Sequence, residues 1–184
     1  LMKNIWYFVA VSYDAKKRSA TLYQEGVVNR YNSLLGHVVP IDYRSHVMEK
    51  MRFKPVNPKD VPFIIGAAQD WHEIRGAFIA QSYSGKIDRP GVFSRALSRD
   101  ELDHVKKTAR PPSTDGVVAY WDTSAGYTDR GIGDDVIDIG PNKLDAKGYN
   151  RPTRAQTGHN WSGRNDCFRL APEEYGGIEF HSDA

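Results

Sequence analysis

The run Ser84-Gly85-Lys86-Ile87-Asp88-Arg89-Pro90-Gly91-Val92-Phe93-Ser94-Arg95-Ala96-Leu97-Ser98-Arg99-Asp100-Glu101-Leu102 constrains this chain more than any other segment. It reads as two short strands, 85–88 and 91–94, broken at Arg89-Pro90, and then a helix over 99–108. Ser98 and Glu101 have capping-box spacing. The serine hydroxyl takes an orphan amide of the first helical turn, and the glutamate reaches back to the serine amide.

The rest of the chain is read mainly in period two. Ile5, Tyr7, Val9 and Val11 share one face of a strand, and Trp6, Phe8, Ala10 and Ser12 share the other. Both faces are largely apolar, which predicts a strand covered on both sides. A polar turn over 13–19 leads to a return strand over 20–24. Pro40, Pro55 and Pro58 punctuate an irregular stretch over 30–60. A strand is predicted over 61–68 with Pro62 at its edge. A polar loop over 69–76, carrying Trp71, His72 and Glu73, and a strand over 77–81 follow. Residues 109–116, with Pro111 and Pro112, read as a linker. Beyond it lie a short apolar strand over 117–121 and a strand with a turn over 136–141.

The segment from Gly85 to Leu102 resembles the G-x-I-D…R-A-L-S-x-x-E-L signature of laminin-G-like, concanavalin-A-type jelly rolls. The first hairpin resembles their W-x-x-V-A-x-x-x-D…L-Y-x-x-G pair, here Trp6, Val9, Ala10, Asp14, Leu22, Tyr23 and Gly26. The resemblance implies an all-β fold, an antiparallel concanavalin-A-like (laminin-G-like) jelly-roll sandwich with a loop-rich extension. We expect the jelly roll over 1–110, incomplete at its N-terminal side, and an extension over 111–184 leading toward a following catalytic domain. Such hairpins normally fall midway in the fold. The chain is therefore expected to be part of a longer polypeptide, or to take strands from another chain. Without them its open sheet edges should make it poorly soluble.

A second set of residues extends the reading. Gly116-Val117-Val118-Ala119-Tyr120-Trp121-Asp122 is followed by Ile137-Asp138-Ile139-Gly140-Pro141. Next come the residues from Asn150 through Pro152, Ala155 and Gly158 to Trp161 and Gly163, and last Pro172-Glu173-Glu174-Tyr175-Gly176 through Ile178, Phe180 and His181. In this order they resemble the large (beta) subunit of the N,N-dimethylformamidase family. The resemblance implies a hydrolase that splits an amide C–N bond to dimethylamine and formate. It also implies a mononuclear iron held by two tyrosines and a glutamate in a catalytic domain outside this segment. Its partners would be the remainder of the large subunit and a small subunit, in an oligomer. In that setting this segment is expected to be scaffold and subunit contact, not a catalyst by itself. The alternative is a non-catalytic carbohydrate- or calcium-binding laminin-G-like module.

Composition narrows the classes. The 184 residues, 40% hydrophobic and 26% charged, carry a net charge of +2. Nothing in that balance calls for nucleic acid or an anionic membrane, and no run approaches the length of a membrane span. Cys167 stands alone. That excludes an internal disulfide and fits a reducing, cytoplasmic setting.

Several constellations carry possible chemistry. Glu179, His181 and Asp183 alternate, so a strand would project all three from one face, a reasonable metal or acid–base arrangement. The same alternation describes the polar side of a half-buried strand with Ile178, Phe180 and Ser182 turned inward. Tyr175 and Glu179 share a strand face at a spacing of four. The family's ligand roles match neither residue by motif. Asp129, Asp134, Asp135 and Asp138 make an oxygen-rich stretch that could suit calcium. The EF-hand spacing is absent, however, and aspartate is a routine turn residue. With Asp183, these aspartates are the metal candidates, and Tyr175, Glu179 and His181 are the catalytic ones. Trp71, His72 and Glu73 could line a shallow sugar site. His37, His46 and His104 have no metal spacing, and Ser94, Ser98 and Ser162 lack a nucleophile-elbow context.

Overall fold

A computed structural model of the chain describes residues 6–27, 44–48, 61–128, 131–156, 158 and 177–180. It is an antiparallel all-β structure with one helix among these residues. Strands β1 (Trp6–Asp14), β2 (Ser19–Val27) and β3 (Arg44–Met48) form a meander, and β4 (Ala68–His72) and β5 (Gly76–Ala80) form a separate hairpin. Then come β6 (Gly85–Asp88), β7 (Gly91–Phe93) and α1 (Arg99–Thr108). Beyond the helix lie β8 (Val117–Asp122), β9 (Tyr127–Thr128), β10 (Gly131–Ile132) and β11 (Asp135–Asp138). The last strands are β12 (Ala146–Lys147), β13 (Thr153–Gln156) and β14 (Gly177–Phe180). One sheet has the order β12-β11-β8-β7 and another β13-β14-β6, so strands from both sides of residues 109–116 share sheets. In the second sheet Ile178 pairs with Ile87, which sets the two sequence-distant motifs side by side.

The predicted helix forms over 99–108, and its start is fixed by short-range chemistry. Ser98 Oγ accepts from the Glu101 amide at 3.3 Å, and Glu101 Oε2 accepts from the Ser98 amide at 2.8 Å. Arg95 then grips both oxygens of Glu101, at 2.6 and 3.0 Å, and reaches Asp115 through Nε at 2.9 Å. This fork ties the helix start to the turn before β8. Gly116 sits there at φ +70, and a side chain on it would meet Arg95 Cγ at 3.0 Å. The helix ends on Ala109 in the left-handed region, with its amide on Val105 O, and Pro111 and Pro112 follow. On the other side of α1, Lys106 and Arg99 both reach Glu25 of β2, at 2.8 and 3.3 Å.

The core sits on β8, buried on both faces. Ala119 and Trp121 pack with Val136, backed by Ile65, Val92 and Ala146. Trp121 also donates to Leu144 O at 2.8 Å and stacks on Phe63 at 6.1 Å. On the opposite face the Tyr120 ring lies over Gly91, where an added Cβ would come within 2.5 Å of Cδ2.

Two expectations need correction. Residues 61–64 form no regular strand, and the strand instead starts at Ala68 and runs as β4 into the stretch read as a polar loop. Pro62 has no amide to offer a ladder, and Gly66 at φ +79 turns the chain so that its carbonyl accepts from the Tyr83 amide at 2.7 Å. Gly76 at φ +72 then closes the β4–β5 turn. The second correction concerns β1. Its Val9 and Val11 face is 49% and 70% exposed, and Leu22 and Met48 continue that exposed surface across the register. Both faces are apolar in sequence, but no residue of β1 is buried, and the Trp6–Phe8 face is only half-buried along a cleft.

Two tests follow from this packing. Gly91→Ala should lower unfolding free energy by about 1–3 kcal/mol through overpacking against Tyr120, and Gly91→Ala combined with Tyr120→Leu should recover part of that loss in urea titrations. The second test concerns pH. The Arg95 fork, helped by the Ser98 amide, holds the Glu101 carboxyl at about 2. Its folded value lies below its unfolded one, so its contribution is complete above about pH 5 and is lost as pH falls toward 2. Glu101→Gln should therefore melt earlier at pH 7 and lose less over that window than the parent protein. Equal acid losses in thermal scans would contradict this role.

Candidate functional site

A cleft of about 1030 Å³ lies between the β1–β2 hairpin and the β6–β7–α1 segment. Trp6, Phe8, Tyr23 and Tyr83 contribute aromatic surface, and Leu102 and Val105 come from the helix. The alternation of β1 and the apolar stripe of α1 place these side chains there. At the base lies a buried charge cluster. Arg89 is 7% exposed and lies 3.5 Å from Asp88 and 3.8 Å from Asp122. Tyr120, 1% exposed, lines the same cleft. Burial raises its phenol well above the ordinary value, Asp88 and Asp122 add to the effect, and Arg89 opposes it. At neutral pH the phenol is protonated. The arrangement offers aromatic walls, a neutral hydroxyl and a compensated ion cluster, which suits binding and packing of an amphipathic group.

The aspartates read as metal candidates separate into different roles. Asp129 lies outside the described residues, while Asp134 and Asp135 are exposed at the entry to β11. Asp138 is fully buried. Its Oδ1 accepts from the amides of Tyr120 at 2.8 Å and Gly140 at 2.7 Å, and its Oδ2 accepts from the Leu144 amide at 2.8 Å. Burial raises its pKa, but these three amides and the charge of Lys143 prevail and leave it lowered. A side chain on Gly140 would come within 2.8 Å of Oδ1, so the Ile139-Gly140 step leaves room for the carboxylate. The Asp138 amide in turn donates to Asp145 Oδ1 at 2.8 Å. Among the described residues, no group of three or more His, Cys, Asp and Glu could hold a metal ion.

Tyr175, His181 and Asp183 lie outside the described residues, as do Cys167, His37 and Ser162. Glu179 lies in β14, opposite Thr153 on one side and Lys86 on the other. Trp71 and Glu73 are exposed on the β4–β5 hairpin, and His72 Nδ1 accepts from the Ile74 amide at 3.2 Å. Sequence reasoning passed over Arg89, Asp122 and Arg154 as site residues. A usable signal was present for the first two: an Asp-Arg pair ends one strand and an aspartate ends an apolar one, both placing charge next to core.

The fold and the cluster define an antiparallel β-sheet protein of sandwich type, built around a central buried strand. No protein-family model matches the sequence. Over its whole length the chain is 34% identical to the N,N-dimethylformamidase beta subunit of an Alcaligenes species, and 34% identical to that of Paracoccus aminophilus. Each alignment takes in 100% of this chain and 24% of the relative. The chain is thus a relative of dimethylformamidase beta subunits and spans about a quarter of their length. No described helix is long and apolar enough to cross a membrane.

Asp138→Asn would turn an amide NH2 toward backbone donors. It should cost about 2–3 kcal/mol, the price of leaving a buried donor facing a donor. Urea unfolding of the variant at pH 7 measures this; a loss under 0.5 kcal/mol, roughly the scatter of neutral surface changes, would contradict the role given to the carboxylate.

Proposed function

We propose that this chain is the jelly-roll portion of an amidohydrolase large subunit of the N,N-dimethylformamidase type, working as scaffold and subunit contact. The observation that carries this reading is the end-to-end identity to a quarter of two beta subunits. The antiparallel sheets, the capped helix and the signature strands paired with β14 support the laminin-G-like assignment. The exposed Val9–Val11 surface supports a role in contact with further protein.

In the parent enzyme the reaction would be hydrolysis of the amide C–N bond of dimethylformamide to dimethylamine and formate. An iron of the family kind would polarise the carbonyl and activate water. The family's ligands are two tyrosines and a glutamate expected in the catalytic domain, and no step of the reaction is assigned to the described residues. Their part would be to shape and support. The remainder of the large subunit and a small subunit would be the partners, in an oligomer, and the lone cysteine suits a cytoplasmic setting.

The test uses the native protein purified from its source. Intact mass, iron content and dimethylamine release are measured on one sample. The expected result is a polypeptide heavier than 20.8 kDa, bound iron and amine release, with none from residues 1–184 alone. A native protein that releases no dimethylamine would overturn the amidohydrolase reading. Release from the isolated chain would overturn the scaffold role.

A further inference from the structure

Arg154, on β13, is 7% exposed and its guanidinium is ringed by main-chain oxygens. Nε donates to Thr123 O at 3.2 Å, and Nη2 donates to Ala125 O at 3.0 Å. Nη1 donates to Gly133 O at 2.5 Å and to Asp135 O at 2.6 Å. The four carbonyls come from two separate segments, the turn after β8 and the entry to β11. Asp122, Asp134 and Asp135 add negative charge around them. A surface pocket of about 510 Å³, lined by Gly133, Asp134, Arg151, Pro152, Thr153 and Arg154, leads in from solvent.

Converging carbonyl dipoles beside carboxylates repel one another, and here one bond to the set is buried and three are part-buried. Oxygen sets of this kind are ordinarily satisfied by a hard cation. Here a planar guanidinium, weakly hydrated and with five fixed donors, does it from within the chain. We infer that Arg154 is the resident cation of an oxygen cage, filling the place a metal ion would take in a loop of this composition, and that the emptied cage is a binding site for a free guanidinium-class cation. This inference stands apart from the amidohydrolase reading, because it concerns only the architecture around β8, β11 and β13.

The test is Arg154→Ala in the full chain, followed by thermal unfolding. The variant should melt roughly 5–10 °C below the parent, as expected when one buried and three part-buried oxygens lose a charged donor in a protein of this size. Millimolar guanidinium or methylguanidinium chloride should restore more than half of that loss, with no effect on the parent protein. Sodium chloride at the same concentration should restore nothing. Equal rescue by sodium, no rescue by guanidinium, or rescue by calcium but not guanidinium would overturn the inference. If the alanine variant does not accumulate as folded protein, Arg154→Lys and Arg154→Gln carry the test. The lysine variant keeps the charge and should melt above the glutamine one; a lysine variant no more stable than the glutamine variant overturns the inference.

Discussion

The central strand β8 is held to its neighbour by the carboxylate of Asp138. Three backbone amides from β8 and from the loop after β11 end on its two oxygens, and its own amide leads on to Asp145. A buried charge is tolerable only when its lone pairs are this fully engaged. The carboxylate acts as a branching point that a β-ladder cannot supply. It fastens the central strand to its neighbour where regular pairing between them covers only Ile137–Asp122 and Asp138–Trp121. The core of Ala119, Trp121 and Val136 forms on one side of this junction, and the Tyr120 ring is set over Gly91 on the other.

Three arginines extend the same logic to longer range. Arg95 joins the helix start to the turn before β8, Arg89 sits between two aspartates of different strands, and Arg154 gathers the turns around β8 and β11. Each bridges segments that the sheets leave loosely joined. A lysine would carry the charge, but it lacks the planar fork that reaches two or three acceptors at once. Among the described residues, order comes from such polar struts as well as from apolar burial.

The parts legible in the sequence are those whose determinants are local. The helix over 99–108 was readable because Ser98, Glu101 and the following prolines act within a few residues of its ends. The β1–β2 hairpin was readable because alternation and a polar turn are adjacent in the chain. The strand expected over 61–68 failed because Gly66 and Pro62 outweigh the apolar residues around them, while the β4 strand hides in residues of polar composition. Asp138 looked like a turn aspartate or a calcium ligand. One of its three partners, the Tyr120 amide, lies in another strand, and no spacing rule points there. Arg154 carried no signal at all, since its acceptors are carbonyls, which every residue has. The resemblance to dimethylformamidase beta subunits survived such local errors because it rests on the order of many motifs along the whole chain.

The meander β1-β2-β3 is tied to the helix through Glu25, which receives both Lys106 and Arg99, while a wide cleft separates much of the hairpin from the β6–β7 segment. Added salt weakens this exposed-edged tie more than the carboxylate–amide junction at Asp138, which is fully buried.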